Sequence, residues 1–294
     1  MEAPIFSVAD YGLVADLFTA APELVKTIFA FTRLLLQRTF MADSILYDSD
    51  GAIVTVTINR PEQRNSINAE VRRGLAEAFA RFEQDPSSRV LILTGQGDKA
   101  FCAGMDLKEA AGSGIGVPPK NFLPIIGDNV SVTKPTIAAV NGVAYAGGWL
   151  FAQMCDLCVA ADTATFGITE AKVGRGMPWA TPLTHMLPQR IILELLLTGE
   201  PLTAQRAYDL GYVNTVVPSA SVLETARAMA EKIARNAPLT VQAAREMVYL
   251  STEMGRTAAM KAAVHIFDKV YRSEDAQEGP RAFKEKRAPQ WQGK

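Results

Sequence analysis

Four short apolar runs constrain this chain more than any other feature of it. Val90-Leu91-Ile92-Leu93-Thr94-Gly95, Thr136-Ile137-Ala138-Ala139-Val140, Leu157-Cys158-Val159-Ala160-Ala161 and residues 213–217 are mostly aliphatic, and none is long enough for a buried helix. Helical or loop-like stretches separate them. Strands that are apolar throughout, not alternately apolar and polar, are covered on both faces, as in the largely parallel sheet of an α/β protein. Upstream, Ser44-Ile45-Leu46-Tyr47 and Ala52-Ile53-Val54-Thr55-Val56-Thr57-Ile58 flank a turn at Asp48-Ser49-Asp50-Gly51, which predicts a hairpin. Over residues 69–83, Val71, Leu75, Ala78, Phe79 and Phe82 recur on one helical face. From about Val222 the pattern is helical, over residues 222–236, 239–252 and 256–271.

Composition narrows the function classes. The 294 residues are 48% hydrophobic and 21% charged, with a formal net charge of -1, so neither nucleic acid nor an anionic membrane is expected as the partner. The most apolar N-terminal stretch, residues 28–36, contains Arg33 and falls well short of the ~20 residues of a membrane span. No secretory signal is read, and Glu2, Asp10, Asp16 and Glu23 argue against a transit peptide, so the expected location is cytoplasmic. Cys102, Cys155 and Cys158 lie in apolar surroundings and read as buried, reduced thiols. Cys155 and Cys158 have Cys-x-x-Cys spacing, but no second pair completes a zinc site and only two histidines exist, so no metal is expected.

Two segments carry reactive chemistry. Gly147-Gly148 precedes the apolar run 149–154, which places the pair at a helix N-terminus. There the N–H groups lack intrahelical partners and the dipole favours negative charge, and glycine admits close approach of a ligand. The alternative is a glycine pair that only permits tight packing. Glu170, in Phe166-Gly167-Ile168-Thr169-Glu170, follows an apolar segment, so burial would raise its pKa toward that of a working acid/base. The alternative is a cap for the following segment or an ion pair with Lys172 or Arg175.

Four segments together resemble, in order and spacing, the crotonase (enoyl-CoA hydratase/isomerase) superfamily over nearly all of residues 42–294. They are Asn59-Arg60-Pro61-Glu62-Gln63-Arg64-Asn65-Ser66-Ile67-Asn68, Lys99-Ala100-Phe101-Cys102-Ala103-Gly104-Met105-Asp106-Leu107, Asn141-Gly142-Val143-Ala144-Tyr145-Ala146-Gly147-Gly148-Trp149-Leu150 with Met154-Cys155-Asp156, and a last one from Tyr271 to Arg287. The resemblance implies a spiral of β-β-α units over residues 41–234, then a helical C-terminal region, 235–294, that assembles trimers or hexamers. It implies an acyl-CoA thioester as substrate, with no cofactor beyond the CoA that the substrate carries. It implies an oxyanion hole from the backbone N–H groups of Met105 and Gly147, with Glu170 as catalytic acid/base. CoA would be bound by Ala103, Gly104, Asp106 and Leu107, with Phe283 and Lys286 holding it further. Arg64 is a candidate phosphate contact, or a solvated arginine. The basic stretch 281–294 reads either as a solvated helix end or as a partner for phosphates.

Leu150 departs from the pattern. Hydratases of that family have glutamate both there and at the Glu170 position. One carboxylate suffices to take a proton from one carbon and return it at another, so double-bond isomerisation of an enoyl-CoA is the expected reaction. Water addition to an unusual acyl group, with Glu170 alone, is the first rival. An acyl-CoA-binding scaffold with little catalysis is the second. Arg175, Trp179, Tyr145 and His185 are weighed as a further acid or water-orienting group, and each reads first as structural. Residues 112–124 and Met177-Pro178-Trp179 are expected to shape the acyl pocket.

Residues 1–40 follow a different pattern. Residues 3–25 resemble the C-terminal tail of electron transfer flavoprotein α subunits, far too little for a flavin site, and a short helix is expected over residues 22–37.

Overall fold

The computed structural model describes residues 44–106, 108–109 and 116–294, which leaves the N-terminal extension, most of the loop at 107–115 and Leu107 outside the described residues. The strands are β1 (Ile45–Asp50), β2 (Ile53–Ile58), β3 (Val90–Gly95), β4 (Ala100–Cys102), β5 (Thr136–Val140), β6 (Val143–Tyr145), β7 (Leu157–Ala161), β8 (Thr165–Gly167), β9 (Leu202–Thr203) and β10 (Thr215–Val217). The helices are α1 (Ala69–Gln84), α2 (Gly147–Gln153), α3 (Leu183–Met186), α4 (Gln189–Thr198), α5 (Ala204–Asp209), α6 (Val222–Ala234), α7 (Pro238–Glu253), α8 (Arg256–Tyr271) and α9 (Asp275–Glu285). Among the described residues no helix is long and apolar enough to cross a membrane.

Two sheets share the strands. The larger has the order β1-β2-β3-β5-β7-β10, and the smaller β4-β6-β8-β9. The chain alternates between them: β3 then β4, β5 then β6, β7 then β8. Each step adds one strand to either sheet, which is the β-β-α spiral. Apart from the β1–β2 and β8–β9 pairs, all pairings are parallel. β3 and β5 are buried at every position, as their unbroken apolar sequences require.

Two boundaries differ from the sequence reading. β1 continues through Asp48-Ser49-Asp50 to pair Asp50 with Ile53, so the hairpin closes at Gly51-Ala52. Gly51, at φ 60°, supplies the positive φ that so tight a turn needs. β10 begins at Thr215, not Val213, because Asn214 spends its side chain on β7: its Oδ1 accepts from Cys158 N–H at 2.8 Å. α1 matches its apolar stripe, and Asn68 caps it by accepting from Val71 N–H at 2.9 Å.

The C-terminal helices are tied to the sheet through Asp156. One carboxylate oxygen accepts from Arg245 Nε and Tyr249 Oη on α7, each at 2.7 Å, and the other from Thr136 N–H at 2.7 Å. The bounds of α9 were not read from the sequence, which gave only a helix end within a helical C-terminal region, since Gly279 and Pro280 lie inside it. The tail beyond it folds back. Glu278 accepts from both terminal nitrogens of Arg287, which hold its carboxyl down at about 2, and from Gln290 N–H. Asp275 accepts from Gln292 and Gly293 N–H, and Trp291 bonds to Arg235 O while its own carbonyl receives Arg89. Arg287, part of the basic stretch read from sequence, is therefore engaged within the chain.

The Asp156 cluster is about 15% exposed on both sides of the ion pair. Asp156→Ala strips partners from Arg245, Tyr249 and Thr136 at once and is expected to lower unfolding free energy by about 3 kcal/mol in a urea titration.

Candidate active site

The site is assembled by the smaller sheet. β4, β6 and β8 are adjacent and parallel, with Cys102 opposite Ala144 and Tyr145 opposite Gly167. Their C-terminal ends therefore open side by side, where ligands gather in α/β folds. Residues 103–106 leave β4, Ala146 and Gly147 leave β6, and Ile168 to Glu170 leave β8.

Met105 and Gly147 both present spare backbone donors. Ile67 N–H donates to Gly104 O at 2.8 Å, and Asp106 N–H to Ile67 O at 3.0 Å. That is the parallel-bridge pattern, which turns the N–H of the intervening Met105 away from Ile67. Gly147 opens α2, so its N–H precedes the first intrahelical bond, and Leu150 N–H is the donor that reaches back to Ala146 O. Among the described residues neither Met105 N–H nor Gly147 N–H has an acceptor in the chain. Gly104 brings the two segments together. At φ 91°, a Cβ there would stand 2.9 Å from Tyr145 O and 3.7 Å from Gly147 N.

The glycine pair serves both of the roles considered. A Cβ on Gly148 would come within 2.0 Å of Cys102 O, so Gly148 lets α2 pack on β4. Gly147 faces Ile67 and Leu123 side chains, beside the free N–H. Ala146 aims both glycines: it adopts φ 50° and ψ -121°, a conformation costly for a residue with a Cβ. Its N–H is fixed to Gly167 O at 2.8 Å, which pins the end of β6 to β8.

Glu170 opens a 3-10 turn, Glu170–Val173, and is 8% exposed. Its Oε1 accepts from Trp179 Nε1 at 2.8 Å, and its Oε2 is buried with no partner among the described residues. Burial raises its pKa, and the Trp179 hydrogen bond pulls it partly back. It makes no ion pair with Lys172, which turns to Glu200. Trp179, read first as structural, is the residue that orients the carboxylate. Tyr145 accepts from Thr165 Oγ1 at 3.3 Å and packs on Gly167, and His185 lines the cavity described next.

A cavity of about 900 Å³ lies against Leu150 and Trp179. Ile125, Ile126, Leu150 and Met154 form its apolar wall, and α7 closes the other side with Arg245 and Tyr249. This is the size of a small-molecule pocket, and it adjoins the site through Leu150 and Trp179 without being lined by Glu170, Met105 or Gly147. Residues 125–128 supply its loop side, and Pro178 and Trp179 also line it; of the expected segment 112–124, residues 116–124 do not line it and residues 112–115 lie outside the described residues. Leu150 is 2% exposed and offers no proton-carrying group to it.

The remaining sequence-predicted positions separate into two groups. Arg64 is exposed, in the left-handed region at φ 50°, and its carbonyl accepts from Ala103 N–H at 3.0 Å, which places it beside the 103–106 loop. The Asp106 side chain is an anchor for that loop: Arg60 Nη2 donates to it at 2.9 Å and holds its carboxyl below the usual range. Phe283 is 87% exposed, and Lys286, also exposed, caps α9 in the left-handed region. The three thiols are buried and pushed upward by desolvation, Cys102 and Cys158 to about 12, which makes them poor nucleophiles. Arg60, Ala146 and Gln153 were missed. Only Gln153 carried a usable signal, three residues after Leu150 and so on the same helical face.

Residues 48–294 match the family model for enoyl-CoA hydratase/isomerase. The chain belongs to this family. Relatives include a carnitinyl-CoA dehydratase of Proteus mirabilis (strain HI4320), 36% identical over 86% of this chain and 100% of the relative. An (E)-benzylidenesuccinyl-CoA hydratase of Thauera aromatica is 37% identical over 82% and 96%. Among solved structures, the enoyl-CoA hydratase EchA1 from Mycobacterium marinum superposes with a TM-score of 0.80, at 39% identity, over 86% of this chain and 100% of that one. The spiral fold, the helical C-terminal region and an acyl-CoA enzyme of the hydratase/isomerase family are thus established for this chain. The likeness of residues 3–25 to a flavoprotein tail finds no support in these relatives, which begin to match downstream.

Two outcomes follow from the geometry. Gly148→Ala drives a Cβ into backbone and is expected to cost at least about 3 kcal/mol, whereas Gly147→Ala meets only the flexible end of Ile67 and is expected to keep the melting temperature within a few degrees. Trp179→Phe removes the bond that favours the Glu170 carboxylate. The acidic limb of the kcat/KM profile, already above the ordinary glutamate range, should then move to higher pH.

Proposed function

We propose that this family member moves a double bond along the acyl chain of an enoyl-CoA, with Glu170 as its only acid/base. The observation that carries this reading is the pairing of a buried, half-satisfied Glu170 carboxylate with an aliphatic side chain at Leu150. In the proposed reaction the thioester oxygen sits between Met105 N–H and Gly147 N–H. Glu170 Oε2 takes a proton from C2 of a 3-enoyl thioester. The electron pair delocalises through the thioester as a dienolate, whose oxygen the two N–H groups stabilise by about 3 kcal/mol each. The same carboxyl returns the proton at C4 and leaves a 2-enoyl thioester. Trp179 holds Oε1 throughout, so that Oε2 alone faces the substrate.

A second reading is water addition by Glu170 alone. The activities by which two relatives are named, a dehydratase and a hydratase, favour it. A binding scaffold is disfavoured, because a scaffold has no use for the energetic cost of a buried, raised-pKa carboxylate. CoA is proposed to lie along Ala103, Gly104, Asp106 and Leu107 with Arg64 near its phosphates. Met260, Val264 and Tyr271 on α8 and Phe283 on α9 are exposed. These faces are proposed to associate as a trimer or paired trimers, in which Phe283 and Lys286 reach CoA. The cytoplasm is the proposed location, and no cofactor or metal is proposed.

The test is turnover of a 3-enoyl-CoA and a 2-enoyl-CoA by wild type and Glu170→Gln. Conversion of the 3-enoyl thioester, lost by about 10³-fold in the variant, is expected. Hydration of the 2-enoyl thioester instead would select the second reading. The same variant checks the origin of the carboxylate's state. A raised folded-state pKa favours folding below the unfolded glutamate pKa, and that contribution is lost as pH rises through the folded value. Glu170→Gln should therefore melt higher than wild type at pH 7, with the difference shrinking toward acid.

A further inference from the structure

Gln153 is 4% exposed, lines the cavity and follows Leu150 by one helical turn. Its Nε2 donates to Trp179 O at 2.5 Å. A carbonyl oxygen only accepts, so this bond fixes which end of the amide is which. The other end, Oε1, is buried and has no donor among the described residues. The cavity wall carries apolar side chains, Leu150, Met154, Ile125 and Ile126, and donors, among them Thr181, His185 and Gln242, but none of these donors is bonded to Oε1. Buried acceptors left in this state are uncommon in folded proteins and call for a reason.

We propose that Gln153 is a specificity-determining residue whose Oε1 accepts a hydrogen bond from a hydroxyl on the acyl chain beyond the reacting carbons. Leu150 occupies the position at which hydratases place a carboxylate beside the reacting carbons. Gln153 lies about 4.5 Å farther along the helix axis. A plain alkyl chain would pass Oε1 and leave it unpaired. A chain with a hydroxyl at the matching carbon would satisfy it, and sites built to pair a buried polar atom discriminate strongly against analogues that lack the partner. This inference rests on the acyl chain entering the cavity past Glu170, as in the proposed reaction, but not on which reaction follows.

The experiment reads binding rather than turnover, so that a wrong reaction and a wrong specificity residue are told apart. Octanoyl-CoA and its 5-, 6-, 7- and 8-hydroxy derivatives are titrated calorimetrically into wild type and Gln153→Met. These thioesters are saturated and cannot undergo the proposed isomerisation. One hydroxy position is expected to bind about tenfold tighter than octanoyl-CoA in wild type, with its neighbours little changed. That advantage should vanish in Gln153→Met, while octanoyl-CoA binds at least as well. Comparing two ligands on one protein cancels any general effect of losing the bond to Trp179 O. If Gln153→Met does not fold, the sharp optimum along the wild-type series remains the criterion. A flat series, a steady trend with position, or a preference that survives Gln153→Met overturns the proposal. Turnover of 3-enoyl-CoA failing while the hydroxyl optimum persists would overturn the isomerase and leave Gln153 in its role.

Discussion

The parallel pairing of β4, β6 and β8 is the constraint on which the site depends. None of the three strands exceeds three residues, so none would hold together alone. Each is the continuation of a longer, fully covered strand in the larger sheet. The long strands fix where the short ones lie, and the short ones align three chain exits on one edge. Met105 and Glu170 then stand three residues past the ends of their strands, Cys102 and Gly167, and Gly147 stands two past Tyr145. The order of the strands is thereby the order of the candidate site. Gly104, Ala146 and Gly148 make local concessions to it: two positive φ values and a helix pressed onto the carbonyl of Cys102.

Much of this was legible in the amino-acid sequence, and the legible parts share a cause. β3, β5 and β7 fell where expected because covering both faces leaves a strand no polar position to blur its ends. α1 and α8 were read from their helical patterns. The smaller sheet was not read at all, since three residues carry no period. α9 was hidden by Gly279 and Pro280, and by Asp275 and Glu278, whose burial is made possible by backbone N–H groups of the returning tail. Of the candidate site, Glu170, Met105 and Gly147 were singled out by their motif context, and they lie just past the ends of three adjacent strands. The contacts that set their properties were not: Trp179 on Glu170, Arg60 on Asp106 and the φ of Ala146 are products of tertiary geometry, and only the finished fold places them.

Glu170 illustrates the division of labour around a single carboxylate. Burial raises its pKa, Trp179 limits the rise and engages one of its two oxygens, and Leu150 carries no proton-transferring group. A neighbouring glutamate would have set two charges in one buried space and coupled their titrations. With leucine there, the state of Glu170 is governed by solvent exclusion, opposed by the indole hydrogen bond and by the backbone N–H groups of Thr169 and Glu170.

The folded-back tail carries a consequence for how the molecule comes into being. Arg89 receives the carbonyl of Trp291 across 202 residues of sequence, and Asp275 and Glu278 are buried only because residues 287–293 return to meet them. None of these bonds can form before residues 287–293 have been made. The spiral, built from contacts between successive strands, can close progressively during synthesis. α9 cannot, because its two inward carboxylates have no partners until the segment that follows it is present. Synthesis therefore imposes an order on assembly: the strands that align the site come first, and the clasp of α9 on the segment behind it comes later.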